Sequence, residues 1–180
     1  MPIYELLGLQ FHPVDTKTFR EVTRQLEAMD PEEARFLAAF AFSLNRVARA
    51  DSHISDVETQ EMEQQVEYWG GLTPAQSVLV VQIAKSTSRL LGTAEDLQVS
   101  EQFKELALPV QCQELLHCMM AVSAADGSIS GVEEALIRKI AVELGLSEPD
   151  FDEVRSNYRQ KWLAGRSKPV GPSPRRRLRS

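Results

Sequence analysis

Long hydrophobic runs are missing from the 180-residue chain, and its most apolar stretch, residues 78–84, is far shorter than the roughly 20 residues of a membrane span. Residues 1–5 lack the basic region of a secretory signal peptide. Cysteine is scarce, with only Cys112 and Cys118. Their spacing places them on different sides of a helix, which predicts two buried thiols and excludes a mutual disulfide or a zinc ligand pattern. Together these absences predict a cytoplasmic protein.

Catalytic motifs are missing as well. The sequence shows no nucleophile–base pair and no glycine-rich loop that would cradle a phosphate. His117 and Cys118 are adjacent, but neighbouring side chains on a helix point about 100° apart and do not form a dyad. We therefore expect a protein that is not an enzyme, with a metal-dependent hydrolase as the alternative.

Basic residues are few outside the C-terminal end. The net charge is −6, yet residues 165–180 carry six basic residues and no acid, which leaves −12 on residues 1–164. An acidic body does not favour nucleic-acid binding and suits a cation or a basic protein partner. The Pro, Gly, Ser and Arg composition of residues 165–180 predicts a disordered tail. It either solubilises the chain, folds back on the acidic body, or contacts an anionic membrane or nucleic acid.

Strand signals are nearly absent, whereas helix signals recur along the chain. Capping residues, prolines and glycines place helix boundaries at Pro31, Gly70, Pro109, Ser130, Gly145 and Ser147. Residues 93–108 are predicted to be a looser link with a short helix at residues 101–106. The predicted fold class is all-α, a compact bundle of about seven or eight helices.

The chain contains an internal repeat. Seven of the twelve residues in 47–58 are identical to those in 122–133, and the same offset of 75 aligns Gly70 with Gly145. We expect two helix–loop–helix halves, at about 31–92 and 109–164, packed about a pseudo-two-fold axis. The predicted organisation is an N-terminal extension (1–14), a helical domain (15–164) and the basic tail (165–180).

Each repeated loop has one carboxylate where a helix ends and a second in the first turn of the next helix. Divalent cations such as calcium, magnesium, manganese or zinc bind carboxylate oxygens. The predicted metal ligands are Asp51, Glu58, Asp126 and Glu133, with His53 and Asp56 as auxiliary candidates. The alternative is purely structural, because Ser55 with Glu58 and Ser130 with Glu133 each have the spacing of a capping box.

The second loop also resembles the later part of an EF-hand loop when Gly127 and Glu133 are matched to its glycine and last ligand. Val122 and Ala124 then occupy the positions of the first two acidic ligands. Tight calcium binding by this loop alone is therefore not expected.

The repeated pattern Ala-Asp-x-x-Ile-Ser-x-Val-Glu after a long apolar helix resembles the TerB-like family, named for tellurite resistance. The same domain occurs in some membrane-anchored J-domain co-chaperones. The resemblance covers roughly residues 15–160. It implies an all-helical cytoplasmic protein with acidic patches for a divalent metal, acting in stress response or binding other proteins through its acidic surface or helix faces. Ser52 and His53 depart from the family's usual glycine-containing turn.

Overall fold

A computed structural model describes residues 17–48, 56–86, 93–125 and 127–159. Every regular element in these ranges is a helix, so the predicted all-α fold class is confirmed. The helices are α1 (Lys17–Glu27), α2 (Pro31–Ala48), α3 (Asp56–Gly70), α4 (Pro74–Ser86), α5 (Thr93–Leu106), α6 (Pro109–Ser123), α7 (Gly131–Glu143) and α8 (Glu148–Ser156). None of these eight is long and apolar enough to cross a membrane. The predicted extension and basic tail lie outside the described ranges.

Helix α2 is the centre of the bundle. It packs against α1, α4, α5, α6 and α7, and it is therefore surrounded by other helices. Its middle turns are apolar on all sides, which is typical of a helix that is buried all round. Leu37, Phe40, Phe42 and Leu44 are fully buried. The buried Asn45 amide donates a hydrogen bond to the carbonyl of Ala84, which ties α2 to α4.

Helix α6 is the second central helix and contacts α2, α3, α7 and α8. Leu115, Leu116, Met119 and Met120 are fully buried along it. The helix that follows each repeated loop packs on both halves of the chain. Helix α3 contacts α4 and α6, and α7 contacts α6 and, less extensively, α2. The internal duplication itself stays a prediction.

The helix boundaries in the second half agree with the sequence. Ser130 and Ser147 each form a capping box with the acid three residues on, and Gly145 has a φ of +79° just after α7. Only glycine adopts that left-handed conformation without strain. Cys112 and Cys118 are both buried and free, as predicted.

The prediction of a looser link with a short helix for residues 93–108 was wrong about the length of the helix. The segment forms the full-length helix α5, which packs against α2 and α7. Val99 and Phe103, one turn apart, are fully buried, and the Phe103 ring lies 5.3 Å from that of Phe36. Among the described side chains of α5, the buried apolar ones are Val99 and Phe103. The helicity of α5 therefore depends on tertiary packing rather than on a strong local pattern.

Candidate functional site

The predicted metal ligands fall mostly outside what the structure describes. Asp51, His53 and Asp126 lie in the undescribed gaps. Asp56 and Glu58 belong to the first turn of α3, but the positions of their side chains are not described. Whether the four acids and the two auxiliary residues meet at one ion stays a prediction.

Glu133 is the predicted ligand whose side chain is described, and it forms the capping box at the start of α7. Its Oε2 accepts a hydrogen bond of 2.7 Å from the Ser130 amide, and its own amide donates to Ser130 Oγ at 3.2 Å. The loop before it turns at Gly127, with a φ of +94°, and is held in the core by Ile129. Among the described side chains, no three of His, Cys, Asp and Glu lie close enough together to hold a metal ion.

A different feature dominates the electrostatics of the described surface. Residues 50–84 and residues 105–137 contain no lysine and no arginine. Helices α3 and α6 lie within these two stretches and pack against each other. They carry six carboxylates between them, at Asp56, Glu58, Glu61, Glu63, Glu67 and Glu114. Two neighbouring helices thus carry acidic side chains and neither lysine nor arginine.

The solvent-exposed side of α3, which we call the acidic face, consists of Gln60, Glu61, Gln64, Glu67 and Tyr68. These positions share one side of the helix because residues three and four apart are neighbours on its surface. Tyr68 is 76% exposed, an unusual value for a large aromatic side chain. Gln64, Glu67 and Tyr68 line an open groove of about 450 Å³, which Gly71 and Leu72 close at the end of the helix.

A stack of aromatic rings connects the acidic face to α6. The Tyr68 ring meets Trp69 edge-on at a centroid distance of 4.8 Å, and Trp69 lies parallel to His117 of α6 at 4.3 Å. The Trp69 indole also donates to Gln65 at 3.2 Å, which fixes its orientation. The hydroxyl of Tyr158, just after α8, donates to the His117 carbonyl at 3.2 Å. The exposed tyrosine therefore rests on a well-packed base.

Glu114 brings one more carboxylate to the groove, from α6. Its oxygens lie 3.6 Å from the position that a Cβ at Gly71 would occupy, and Gly71 itself has a φ of +60°. Burial raises the pKa of Glu114 above its ordinary value. A cationic group entering the groove would favour the ionised form of this acid.

The acids of α7 and α8, in contrast, are offset by nearby arginines. Arg138 pairs with Glu134 and Glu148, and Arg155 pairs with Glu134 and Asp152. On α3, the described cationic contact is at the other end of the helix, where Lys85 of α4 donates to Thr59 at 2.6 Å. Thr59 is nine residues from Tyr68, about 14 Å along the helix axis. Of the described acidic surfaces on α3, α7 and α8, the groove end of the acidic face is therefore the one where a basic ligand meets the fewest competing cations.

His117 and Cys118 do not form a catalytic pair in the structure. The imidazole stacks on Trp69, whereas the Cys118 thiol is fully buried and lies 3.9 Å from the carbonyl oxygen of Gln65. Burial raises the pKa of the Cys118 thiol far above its usual range, so it is not an activated nucleophile.

The stacked histidine gives the fold a pH dependence. Burial lowers the pKa of His117 below 6.5, and the negative charge of Glu153 opposes that effect only partly. The unfolded chain therefore takes up the proton first, so stability is complete above about pH 6.5 and falls as the pH drops below it. We expect His117→Phe, which keeps a ring beside Trp69, to flatten this dependence in urea unfolding at pH 7, 6 and 5. An unchanged pH slope in the variant would show that His117 is not the group responsible.

The acidic face was missed in the sequence, although part of its signal is present there. The absence of lysine and arginine from residues 50–84 and 105–137 is visible in the printed chain. The contact between α3 and α6, and the exposure of Tyr68 beside the half-buried Trp69, come only from tertiary packing. The helical spacing of Met62, Val66 and Trp69 predicts that Trp69 faces inward, whereas the exposure of Tyr68 was not predicted.

Comparison with known families gives a match over most of the chain. Residues 36–156, well over half of the chain, match the family described as tellurite resistance protein TerB. The matched range runs from the central helix α2 to the end of α8 and includes both repeated loops. Comparisons with curated proteins and with solved structures give no match. The chain belongs to the TerB family.

Proposed function

We propose that this TerB-family chain is a non-enzymatic, cytoplasmic interaction module that binds a basic segment of a partner protein on the acidic face of α3, within a stress response of the tellurite-resistance type. One observation carries the proposal: the neighbouring helices α3 and α6 bear carboxylates and neither lysine nor arginine. The membership of the family supports the stress-response setting.

The shape and chemistry of the acidic face suit a basic peptide. Glu61 and Glu67 are exposed on it, and Tyr68 presents an amphipathic ring at the mouth of the groove. Tyrosine is enriched at protein interfaces because it offers both apolar area and a hydroxyl, and arginine binds carboxylates and stacks on aromatic rings. The open groove fits an extended side chain better than it fits a small substrate, which needs a deep pocket.

An oligo-arginine peptide tests the charge recognition. We expect the full chain to bind it, and Glu61→Gln/Glu67→Gln to weaken binding about threefold to tenfold, because an exposed charge pair contributes about 0.2–1 kcal/mol. Tyr68→Ala should weaken binding as well, without any change in charge. The measurement is fluorescence anisotropy of a labelled peptide at low and at physiological salt.

The matched control is Glu101→Gln/Glu105→Gln on α5, which removes the same charge from two exposed positions elsewhere. We expect this pair to change the affinity less than twofold. If both pairs weaken binding equally, the peptide senses only the net charge of the protein, and the acidic face is not a recognition surface.

A divalent cation at the repeated acidic loops is the second candidate function. It is supported by the repetition of both acids in each loop, and the described part of the second loop turns sharply at Gly127. The capping role of Glu133 does not remove its second oxygen from the set of ligands, because a carboxylate accepts several bonds. Calcium, magnesium, manganese and zinc are the ions to compare.

Metal binding predicts a shift in thermal stability. An ion at 100 times its dissociation constant adds about 2.7 kcal/mol, which raises the midpoint of a domain this size by several degrees. We expect one of the four ions to give this shift in chelator-treated full chain and to leave Asp51→Asn/Asp126→Asn unmoved. Glu101→Gln/Glu105→Gln should respond like the wild type. If no ion shifts the wild type, the loop acids are turn and capping residues and the protein is a helical adaptor without metal.

A further inference from the structure

The chain carries a basic segment of its own, which follows the last described residue, Arg159, in sequence. Residues 165–180 contain Arg166, Lys168, Arg175, Arg176, Arg177 and Arg179 and no acid. The charge of this segment is opposite to that of α3 and α6, which carry acids and neither lysine nor arginine. We propose that this tail docks in cis on the acidic face of α3 and competes there with the basic partner; the inference rests on the proposed function.

The described structure ends beside the proposed docking surface. The Tyr158 hydroxyl donates to the His117 carbonyl, and the Tyr158 ring centroid lies 6.5 Å from that of Trp69. Trp69 is in turn the edge-to-face neighbour of Tyr68. The last described residue, Arg159, therefore directly follows a tyrosine whose ring is separated from the groove residue Tyr68 only by the Trp69 ring.

The length of the connection is sufficient. Arg166 follows Arg159 by seven positions, and an extended chain spans up to about 3.5 Å per residue, which gives about 25 Å. Helix α3 has 15 residues and is about 22 Å long. The basic side chains of the tail thus reach every turn of the acidic face without any rearrangement of α8.

The acids of α3 are the better target than those at the end of the bundle from which the tail departs. Arg138 and Arg155 already pair with the carboxylates of α7 and α8, including Glu134. The guanidinium groups of the tail combine a charge for Glu61 and Glu67 with a flat surface for the exposed Tyr68 ring. A segment tethered so closely has an effective concentration in the millimolar range, so weak contacts are enough to keep it docked.

Such docking makes partner binding a competition. A basic partner has to displace the tail, and any change that removes the tail's charge strengthens partner binding. High salt weakens the contact because exposed charges are screened beyond about 3 Å at 1 M ionic strength. The tail is thereby an autoinhibitory element whose strength is set by its arginines.

A spin label on the tail tests the location of docking in the full chain. Ser173→Cys provides a selective attachment point, because Cys112 and Cys118 are buried and burial raises the pKa of both thiols. We expect the label to broaden the amide NMR signals of residues 60–72 most strongly. The broadening should disappear in 1 M salt and in Glu61→Gln/Glu67→Gln, and persist in the matched Glu101→Gln/Glu105→Gln variant.

Broadening that is uniform, absent or centred on α5 or α7 would overturn the proposal. A second readout separates it from the proposed function. Replacing the arginines at positions 175, 176, 177 and 179 with glutamine should strengthen oligo-arginine binding several-fold if the tail occupies the face. If this variant binds no better while Glu61→Gln/Glu67→Gln still weakens binding, the cis docking is wrong and the interaction surface remains. If neither variant changes binding, both proposals fail.

Discussion

Arg46→Met is expected to lower the free energy of unfolding by about 3–5 kcal/mol, because it leaves the Glu143 carboxylate, only 10% exposed, without its main cationic partner. The Arg46 side chain is only 1% exposed, and its Nη1 donates to Glu143 Oε2 at 2.6 Å and to Ser100 Oγ at 2.7 Å. Its Nε lies 3.6 Å from Asp96. One side chain thus joins α2, α5 and α7.

The Glu143 carboxylate makes the stability lost in Arg46→Met depend on pH. Burial opposes its ionisation, but the hydrogen bonds from Arg46 and Ser100 and the charge of Arg46 outweigh burial, so its pKa lies below 4.5. The contribution of the pair is therefore complete above about pH 4.5 and is lost as the pH falls through the lower, folded pKa. We expect the stability difference between wild type and Arg46→Met to narrow in that acidic window.

Urea unfolding of matched variants measures the Arg46 effect. Arg24→Met removes an arginine whose side chain is 74% exposed and pairs with Glu21, and it should cost less than about 1 kcal/mol. Arg46→Met/Glu143→Leu should recover part of the loss, since it removes both charges from the interior. A cost for Arg46→Met as small as that of Arg24→Met would mean that the buried cluster does not hold the three helices together.

Phe103→Ala is the second large effect, with an expected cost of about 3–5 kcal/mol from lost burial and the cavity left behind. The ring is fully buried, and its centroid lies 5.3 Å from that of Phe36 in a tilted arrangement. It lies 5.8 Å from that of Phe40 in the edge-on geometry that aromatic pairs favour. It is the main apolar anchor of α5 on α2. The substitution therefore tests whether α5 is a structural element of the domain or the loose link that the sequence predicted.

Leu97→Ala, on the same helix, is the control for Phe103→Ala. Leu97 is 47% exposed, and leucine and alanine have similar helix propensities, so we expect a change of less than about 1 kcal/mol. Both variants are compared with wild type by urea unfolding at pH 7. Equal, small costs would indicate that α5 packs loosely on the bundle.

Helix boundaries were predictable because their causes are local. Ser130 with Glu133 and Ser147 with Asp150 satisfy the first amides of α7 and α8 within four residues of sequence. Gly145 supplies a positive φ at the end of α7 that other residues adopt only under strain. A capping residue and the backbone groups that it satisfies are neighbours in sequence, so both are visible in the same short segment.

The buried polar cluster and α5 were not predictable, since their causes are distant in sequence. Arg46 reads as an ordinary helical arginine, and Glu143, its partner, is 97 residues away. Helix α5 carries a narrow apolar stripe, and this stripe is buried because Phe103 packs against Phe36 and Phe40 of α2. Long-range contacts of this kind decide which weak local patterns become structure.

The candidate site divides in the same way. The repeated acids of the loops were found from the sequence, and only Glu133 among them has a described side chain, in the capping role that was the alternative interpretation. The acidic face required the packing of α3 on α6, which joins two acidic stretches that are far apart in the chain. Charge asymmetry was visible in the sequence, but the surface on which it concentrates was not.

The binding map of an oligo-arginine peptide on the isotope-labelled full chain tests the central claim most directly. If the acidic face is the recognition surface, amide shifts in NMR spectra will concentrate on Gln64, Glu67, Tyr68 and Leu72, with smaller shifts near Glu114. They should decrease together as salt is raised. Shifts spread over all the acidic helices, or centred on α5, α7 or α8, would contradict the account.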